Sequence, residues 1–181
     1  KPGQVINEMG SLQDFIPTFA AAAGEPELVA KVKKGYKIGS KTFKVHLDGY
    51  DQSELLAGTG PSKRHEYFYW TDDGNLAGLR YNRWKLNFLE QRSEGLDVWQ
   101  DPLVILRFPK LFDLKADPFE RAQADAGDYA RWRVEHAFAL VPAQAYVAQH
   151  LATYRDFPPR QKPGSFSLDQ VLAKLQEHSN K

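Results

Sequence analysis

The spacing of apolar residues changes along the chain, and each change marks a change of element type. Residues 4–8 hold Val5 and Ile6 and read as a short strand. Asp14 to Gly24 reads as a helix with Asp14 as N-cap, Pro17 in the first turn where its missing N–H costs little, and Gly24 as the stop. A second short helix is predicted after Pro26 through Leu28, Val29 and Val32. From Tyr36 to Leu47 the pattern becomes that of a hairpin turning at Gly39-Ser40. Asp48-Gly49-Tyr50 then leads into a short helix ending near Leu56 and Gly58, and the small, polar Gly58–Pro61 stretch marks an internal boundary.

The clearest β signal follows that boundary. Glu66 to Trp70 is an aromatic strand, Asp72-Asp73-Gly74-Asn75 a turn, and Leu76 to Tyr81 the returning strand. Asn82-Arg83 turns again into Trp84–Leu89, where Trp84, Leu86 and Phe88 share one face, and Leu111–Leu114 supplies a fourth strand. These predict a small antiparallel meander with one face against a core. The last third is helical: Tyr129, Trp132, His136 and Leu140 recur at helical spacing, as do Ala143, Val147, Leu151 and Tyr154 behind Pro142, placed at a first helical position. The prolines of Phe157–Gly164 demand an irregular connector. Ser167–Gln170 matches a capping box, opening an amphipathic helix with Leu168, Val171, Leu172 and Leu175 as its stripe.

Composition adds exclusions. The 181 residues carry 24 basic and 23 acidic side chains, a net charge of +1, which argues against a nucleic-acid binder. No apolar run approaches the ~20 residues needed to span a bilayer. With no cysteine, disulfides, thiolate metal sites and cysteine nucleophiles are excluded.

Candidate chemistry is sparse. Asp72-Asp73, followed by Gly-Asn, reads as a hairpin turn ahead of a metal site. None of His46, His65, His136, His150 and His178 stands in a metal-binding spacing, and His136 and His150 read as structural. His46, at a strand end beside Asp48-Gly49-Tyr50, is the single substrate-pocket candidate, with a hydrogen-bonded structural role as its rival. Lys31, Lys33 and Lys34 read as a solvated helix end. Tyr67, Phe68, Tyr69, Trp70, Trp84 and Phe88 read as core packing, with a carbohydrate-stacking platform as the alternative. No catalytic residue and no metal ligand is assigned, and the residues alone describe a non-catalytic α+β module.

Several segments resemble the sulfatase family of the alkaline-phosphatase superfamily. Lys1-Pro2-Gly3-Gln4 is similar to the stretch after that family's last catalytic lysine segment. Asp14-Phe15-Ile16-Pro17-Thr18-Phe19 with Ala23-Gly24 is similar to its Asp-x-x-Pro-Thr helix, and Phe43–Tyr50 to the arylsulfatase segment ending Asp-Gly-Tyr. Leu79-Arg80 with Trp84-Lys85-Leu86, Leu111–Glu120, Pro158-Pro159-Arg160-Gln161 and Pro163–Phe166 resemble later family segments in the family's order. The resemblance implies the C-terminal portion of an arylsulfatase-like sulfuric ester hydrolase. Residues 1–58 would be the last strand and helix of a larger α/β catalytic domain with a connector, and residues 59–181 an α+β subdomain of about four antiparallel strands packed with helices.

The same resemblance implies a parent enzyme using calcium and a formylglycine, neither held by this chain, which has no Cys/Ser-x-Pro-x-Arg motif. It further implies a missing N-terminal catalytic domain as partner and a sulfate-ester substrate in the intact enzyme, and it favours a periplasmic or secreted location while leaving a cytoplasmic one open. A fragment of this kind should expose an apolar patch around Asp14–Ala23, inviting homodimerisation or strand exchange. Two alternatives stay open: the matching region of a phosphate or phosphonate ester hydrolase, and a free-standing glycan-binding module.

Overall fold

The leucines at the centre of the meander determine how the rest of the chain is arranged. In the computed structural model, which describes residues 3–164 together with Leu172 and Leu175, four strands pair antiparallel in sequence order. They are β3 (Glu66–Trp70), β4 (Leu76–Tyr81), β5 (Trp84–Glu90) and β6 (Val104–Asp113), numbered after the hairpin strands β1 (Tyr36–Ile38) and β2 (Lys41–Phe43). The register sets Phe68 against Leu79, Leu79 against Leu86 and Leu86 against Leu111, one apolar row running across the sheet. Leu79, Leu86 and Leu111 are 0%, 2% and 1% exposed. Each contributes about 1.5–3 kcal/mol by leaving water.

The helices that accompany this sheet are α1 (Phe15–Ala22), α2 (Leu28–Lys34), α3 (Ser53–Ala57), α4 (Ala122–Asp125), α5 (Tyr129–Glu135) and α6 (Leu140–Ala152). Ala139 and Ala143 are the small residues that let α6 approach the leucine row, with Trp132, Leu140, Tyr146 and Val147 packed around them. The Tyr129 hydroxyl accepts from the Leu111 N–H at 3.2 Å and donates to the Leu111 carbonyl at 3.0 Å, fixing α5 to the edge strand. No helix among the described residues is long and apolar enough to cross a membrane.

The α+β class, the meander and its turns follow the sequence expectation, and α1 starts after Asp14 with Pro17 in its first turn. Gly58 ends α3 with φ +69°, the left-handed conformation that glycine adopts without penalty.

Four details differ. Residues 4–8 form no strand: no described strand pairs with them, and Val5 is 77% exposed. β6 starts at Val104, well before Leu111, because Pro109 falls in a bulge. There the register slips between Asn87 and Leu89, and no ladder N–H is required. The stripe expected through His136 is broken by a 3-10 turn at Ala137–Ala139. Pro142 sits third in α6, still within the first turn, where no intrahelical N–H is needed. The predicted capping box at Ser167–Gln170, with Leu168 and Val171 of its stripe, lies outside the described residues, while Leu172 and Leu175 are helical and exposed.

Candidate functional site

A cavity of about 740 Å³ opens between the loop after β2, strand β3 and helix α6. A buried ion pair anchors that loop beside the start of β3. Asp14, at the start of α1, and Arg64, just before β3, have side chains only 4% and 2% exposed. Arg64 Nε donates to Asp14 Oδ2 at 2.8 Å and Nη2 to Oδ1 at 2.5 Å. The remaining Asp14 capacity is filled by the N–H of Tyr50 at 2.8 Å and of Ser11 at 3.0 Å. Burial pushes the Asp14 carboxyl up, but the hydrogen bonds from Arg64, Tyr50 and Ser11 together hold it below its usual value.

The loop is tied down from the other side as well. Arg64 Nη2 also donates to the Asp48 carbonyl at 2.8 Å, and Thr18 Oγ1 accepts from the Gln52 N–H at 3.0 Å. Gly49 fits because it has no side chain: a Cβ there would lie 2.1 Å from the Gln13 carbonyl oxygen. The Tyr50 hydroxyl donates to Glu66 on β3, and burial together with that bond pushes its pKa up.

His46 lines this cavity. Its Nε2 lies 3.3 Å from Asp48 Oδ1, its ring tilts against Phe157 with centroids 5.7 Å apart, and its buried Nδ1 has no hydrogen-bond partner. His150 of α6 shares the same carboxylate, with Nδ1 3.9 Å from Asp48 Oδ1. Its ring stacks on Phe68 at 4.0 Å, and the Tyr154 hydroxyl lies 3.3 Å from its Nε2. Burial pushes the His150 imidazole below its ordinary value, and Asp48 opposes that only in part.

The other histidines of the described residues stand elsewhere. His136 stacks on Trp132 at 4.4 Å with Nδ1 2.8 Å from the Trp132 carbonyl, and His65 Nδ1 lies 3.1 Å from Asn82 Oδ1. His178 lies outside the described residues. Asp72-Asp73 forms the β3–β4 turn, where the Asp72 carbonyl accepts from the Gly164 N–H at 3.2 Å.

The aromatic strand divides by face. Phe68, Trp84 and Phe88 pack on the leucine core, Trp70 joins His150 and Tyr154 at the cavity, and Tyr67 and Tyr69 form an edge-on pair at 4.9 Å. The sequence singled out His46 beside Asp48-Gly49-Tyr50, and it points to neither Arg64 nor His150 as a neighbour of that loop. Asp14 and Arg64 are 50 positions apart, a separation to which no local periodicity points. His150, read as structural, stacks on Phe68 and reaches toward Asp48 from α6.

As for the calcium implied by the resemblance, no group of three or more His, Cys, Asp or Glu among the described residues is placed to hold a metal ion. The arrangement is suited to binding: Arg64, its one guanidinium, is turned inward onto Asp14 and backbone carbonyls, while rings and carboxylates face the space.

The chain is 33% identical over 130 residues to arylsulfatase A of Bos taurus, and equally to arylsulfatase A of Homo sapiens. The match takes in 66% of this chain and 22% of each relative, so the chain spans about a fifth of the length of the curated relatives it matches. Among solved structures it is similar to the PsFucS1 sulfatase from Pseudoalteromonas sp., with a TM-score of 0.48 and 23% identity, over 62% of this chain and 22% of that one. No family model matches.

Proposed function

This chain is sulfatase-like in sequence, and on that premise we propose that it serves as the C-terminal portion of an arylsulfatase-like sulfuric ester hydrolase. The observation that carries the reading is the 33% identity to two arylsulfatases over 130 residues. In the whole enzyme the nucleophile, and the calcium ion and formylglycine that go with it, belong to the remainder of the protein. This portion contributes packing and one wall of the pocket, with His46 on that wall.

Two features support a packing role. The relatives extend far beyond the matched region, which is 22% of their length. In addition, Leu12, Phe15, Ile16 and Phe19 form an exposed apolar surface on and beside α1. A contiguous surface of that kind marks an interaction site, and the partner assigned to it is the rest of the same enzyme.

The test is to purify the 181-residue chain and to express it joined to, and separately from, the preceding part of its enzyme. Turnover of an aryl sulfate is then followed with calcium present. The chain alone should show none, and the joined form should show turnover that falls when Phe19→Glu places a charge on the apolar surface. Turnover by the purified chain alone would overturn the reading.

A further inference from the structure

We propose that the basic surface made by the end of α2 and the β1–β2 hairpin binds a sulfated polysaccharide chain. Residues 28–47 hold six lysines, Lys31, Lys33, Lys34, Lys37, Lys41 and Lys44, and no aspartate or glutamate. The remaining 18 of the 24 basic side chains share the rest of the chain with all 23 acidic ones. The net charge of +1 therefore conceals a strongly positive segment on an otherwise negative protein.

The fold gathers these lysines. The Val45 N–H donates to the Val32 carbonyl at 3.0 Å, which brings Lys44 back beside the Lys33-Lys34 end of α2. The register pairs Lys37 with Thr42 and Ile38 with Lys41, so both strands of the hairpin carry charge. Lys31 is held by Glu25 and lies over the Tyr36 ring at 5.2 Å. The other five are exposed, and none of them stands in an ion pair among the described residues. Elsewhere on the surface Arg121 has Asp125 at 2.9 Å and Arg131 has Glu135 at 2.7 Å. The helix dipole accounts for Lys33 and Lys34 at the C-terminal end of α2 but not for the hairpin lysines. Holding five unpaired ammonium groups together costs self-repulsion, which a polyanion relieves.

The residue types select the partner. All six are lysines, and with no guanidinium fork for bidentate phosphate contacts they offer point charges that read charge density along a flexible chain. Ile38, Lys41 and Phe43 share one face of the hairpin, and Lys37 and Thr42 the other. A bilayer seated on the apolar face would leave Lys37 turned away from its headgroups. The choice of sulfate as the polymer's anion rests on the sulfatase-like reading above. Lys44 also lines a second cavity, about 560 Å³, together with His46 and Arg160. The basic surface thus reaches the wall assigned to the ester pocket, where a polymer held by the lysines would present its neighbouring units.

The test measures binding of the full 181-residue chain to dextran sulfate by isothermal titration calorimetry, with uncharged dextran of the same length as control. No turnover is read, so failure here is separate from failure of the aryl sulfate assay. Dextran sulfate should bind saturably in about 50 mM salt and about tenfold or more weakly in about 300 mM, while dextran gives no binding. Lys34→Gln, Lys37→Gln and Lys44→Gln together should weaken binding by about tenfold or more. Lys63→Gln, Arg107→Gln and Lys115→Gln remove the same charge at exposed positions elsewhere and should leave it within about twofold. Near-native circular dichroism confirms that both triple variants fold. No saturable binding of dextran sulfate, or equal loss in the two triple variants, would overturn the proposal. So would tighter binding of a single-stranded thymidine oligonucleotide in the same salt, or binding of phosphatidylserine vesicles that Phe43→Ser abolishes and the lysine triple leaves intact.

Discussion

Replacing Arg64 with methionine should remove much of the protein's stability, although the substitution conserves length and apolar bulk. Arg64 and Asp14 are both buried, and breaking such a pair from one side leaves an uncompensated charge at a cost of about 3–5 kcal/mol. Asp14 would keep the Tyr50 and Ser11 N–H donors at 2.8 and 3.0 Å, which places the loss near the lower end, about 3 kcal/mol. For a chain of this length that is roughly 6–12 °C in melting temperature. Guanidinium denaturation followed by tryptophan fluorescence at pH 7 gives the value directly. A second arm tests the cause: Asp14→Asn added to Arg64→Met keeps an acceptor for Tyr50 and removes the buried charge, so it should recover at least about 1 kcal/mol.

The pH dependence has a definite sign. In the native chain Asp14 is held below its ordinary 3.8, so its contribution is full above that value and is lost as pH falls through the lower folded value. Without Arg64, burial pushes Asp14 up, and the variant gains relative stability on protonation. The gap between the two proteins should therefore narrow as pH falls through about 4. A cost below about 1 kcal/mol at pH 7, or a gap that stays constant from pH 7 to pH 3, would refute the account of the pair.

Other consequences can be measured on the same chain. Leu79→Ala, at a fully buried position, should cost about 2–5 kcal/mol, while Leu96→Ala, at an 81% exposed one, should stay within about 0.5 kcal/mol, both read from denaturant midpoints. Gly49→Ala would drive a Cβ to 2.1 Å from the Gln13 carbonyl oxygen, so it should cost at least about 2 kcal/mol in the same assay. His150, held below its ordinary 6.5 by burial, contributes stability that is present above pH 6.5 and lost as pH falls through its lower folded value. The difference in melting temperature between pH 7.5 and pH 5 should thus shrink in His150→Phe, which keeps the stack on Phe68.

What the sequence made legible is what local chemistry decides. Trp84, Leu86 and Phe88 alternate, Asp72–Asn75 can only turn, and the Phe68–Leu79–Leu86–Leu111 row follows once those strands pair in order. The first half of β6 runs through Pro109, which the ladder accommodates at the bulge opposite Asn87–Leu89, and no local pattern announces that bulge. Of the cavity lining, the sequence singled out His46 as a pocket candidate. Its other walls depend on how α6 lies across β3 and on the Asp14–Arg64 bond, both set by long-range packing that no short window records.

Helix α1 carries the strongest argument about what surrounds this chain, because its faces are reversed. Asp14, Pro17 and Thr18 recur at helical spacing and are buried, whereas Phe15, Ile16 and Phe19 are exposed, with the two phenylalanine rings stacked 5.4 Å apart. An ordinary surface helix buries its apolar stripe and shows its polar one. Here the polar side faces in because Asp14 must reach Arg64, and that leaves the aromatic side outward. A helix so oriented gains nothing from its outer face until something apolar covers it, the place proposed above for the remainder of a sulfatase-like enzyme. In the isolated chain the same face can meet only another copy, so sedimentation should show concentration-dependent self-association. Phe15→Ser with Phe19→Ser should abolish that association while leaving the melting temperature of the monomer within a few degrees, since neither ring is in the core. A native chain that stays monomeric at high concentration would show that the outward face is not a docking surface.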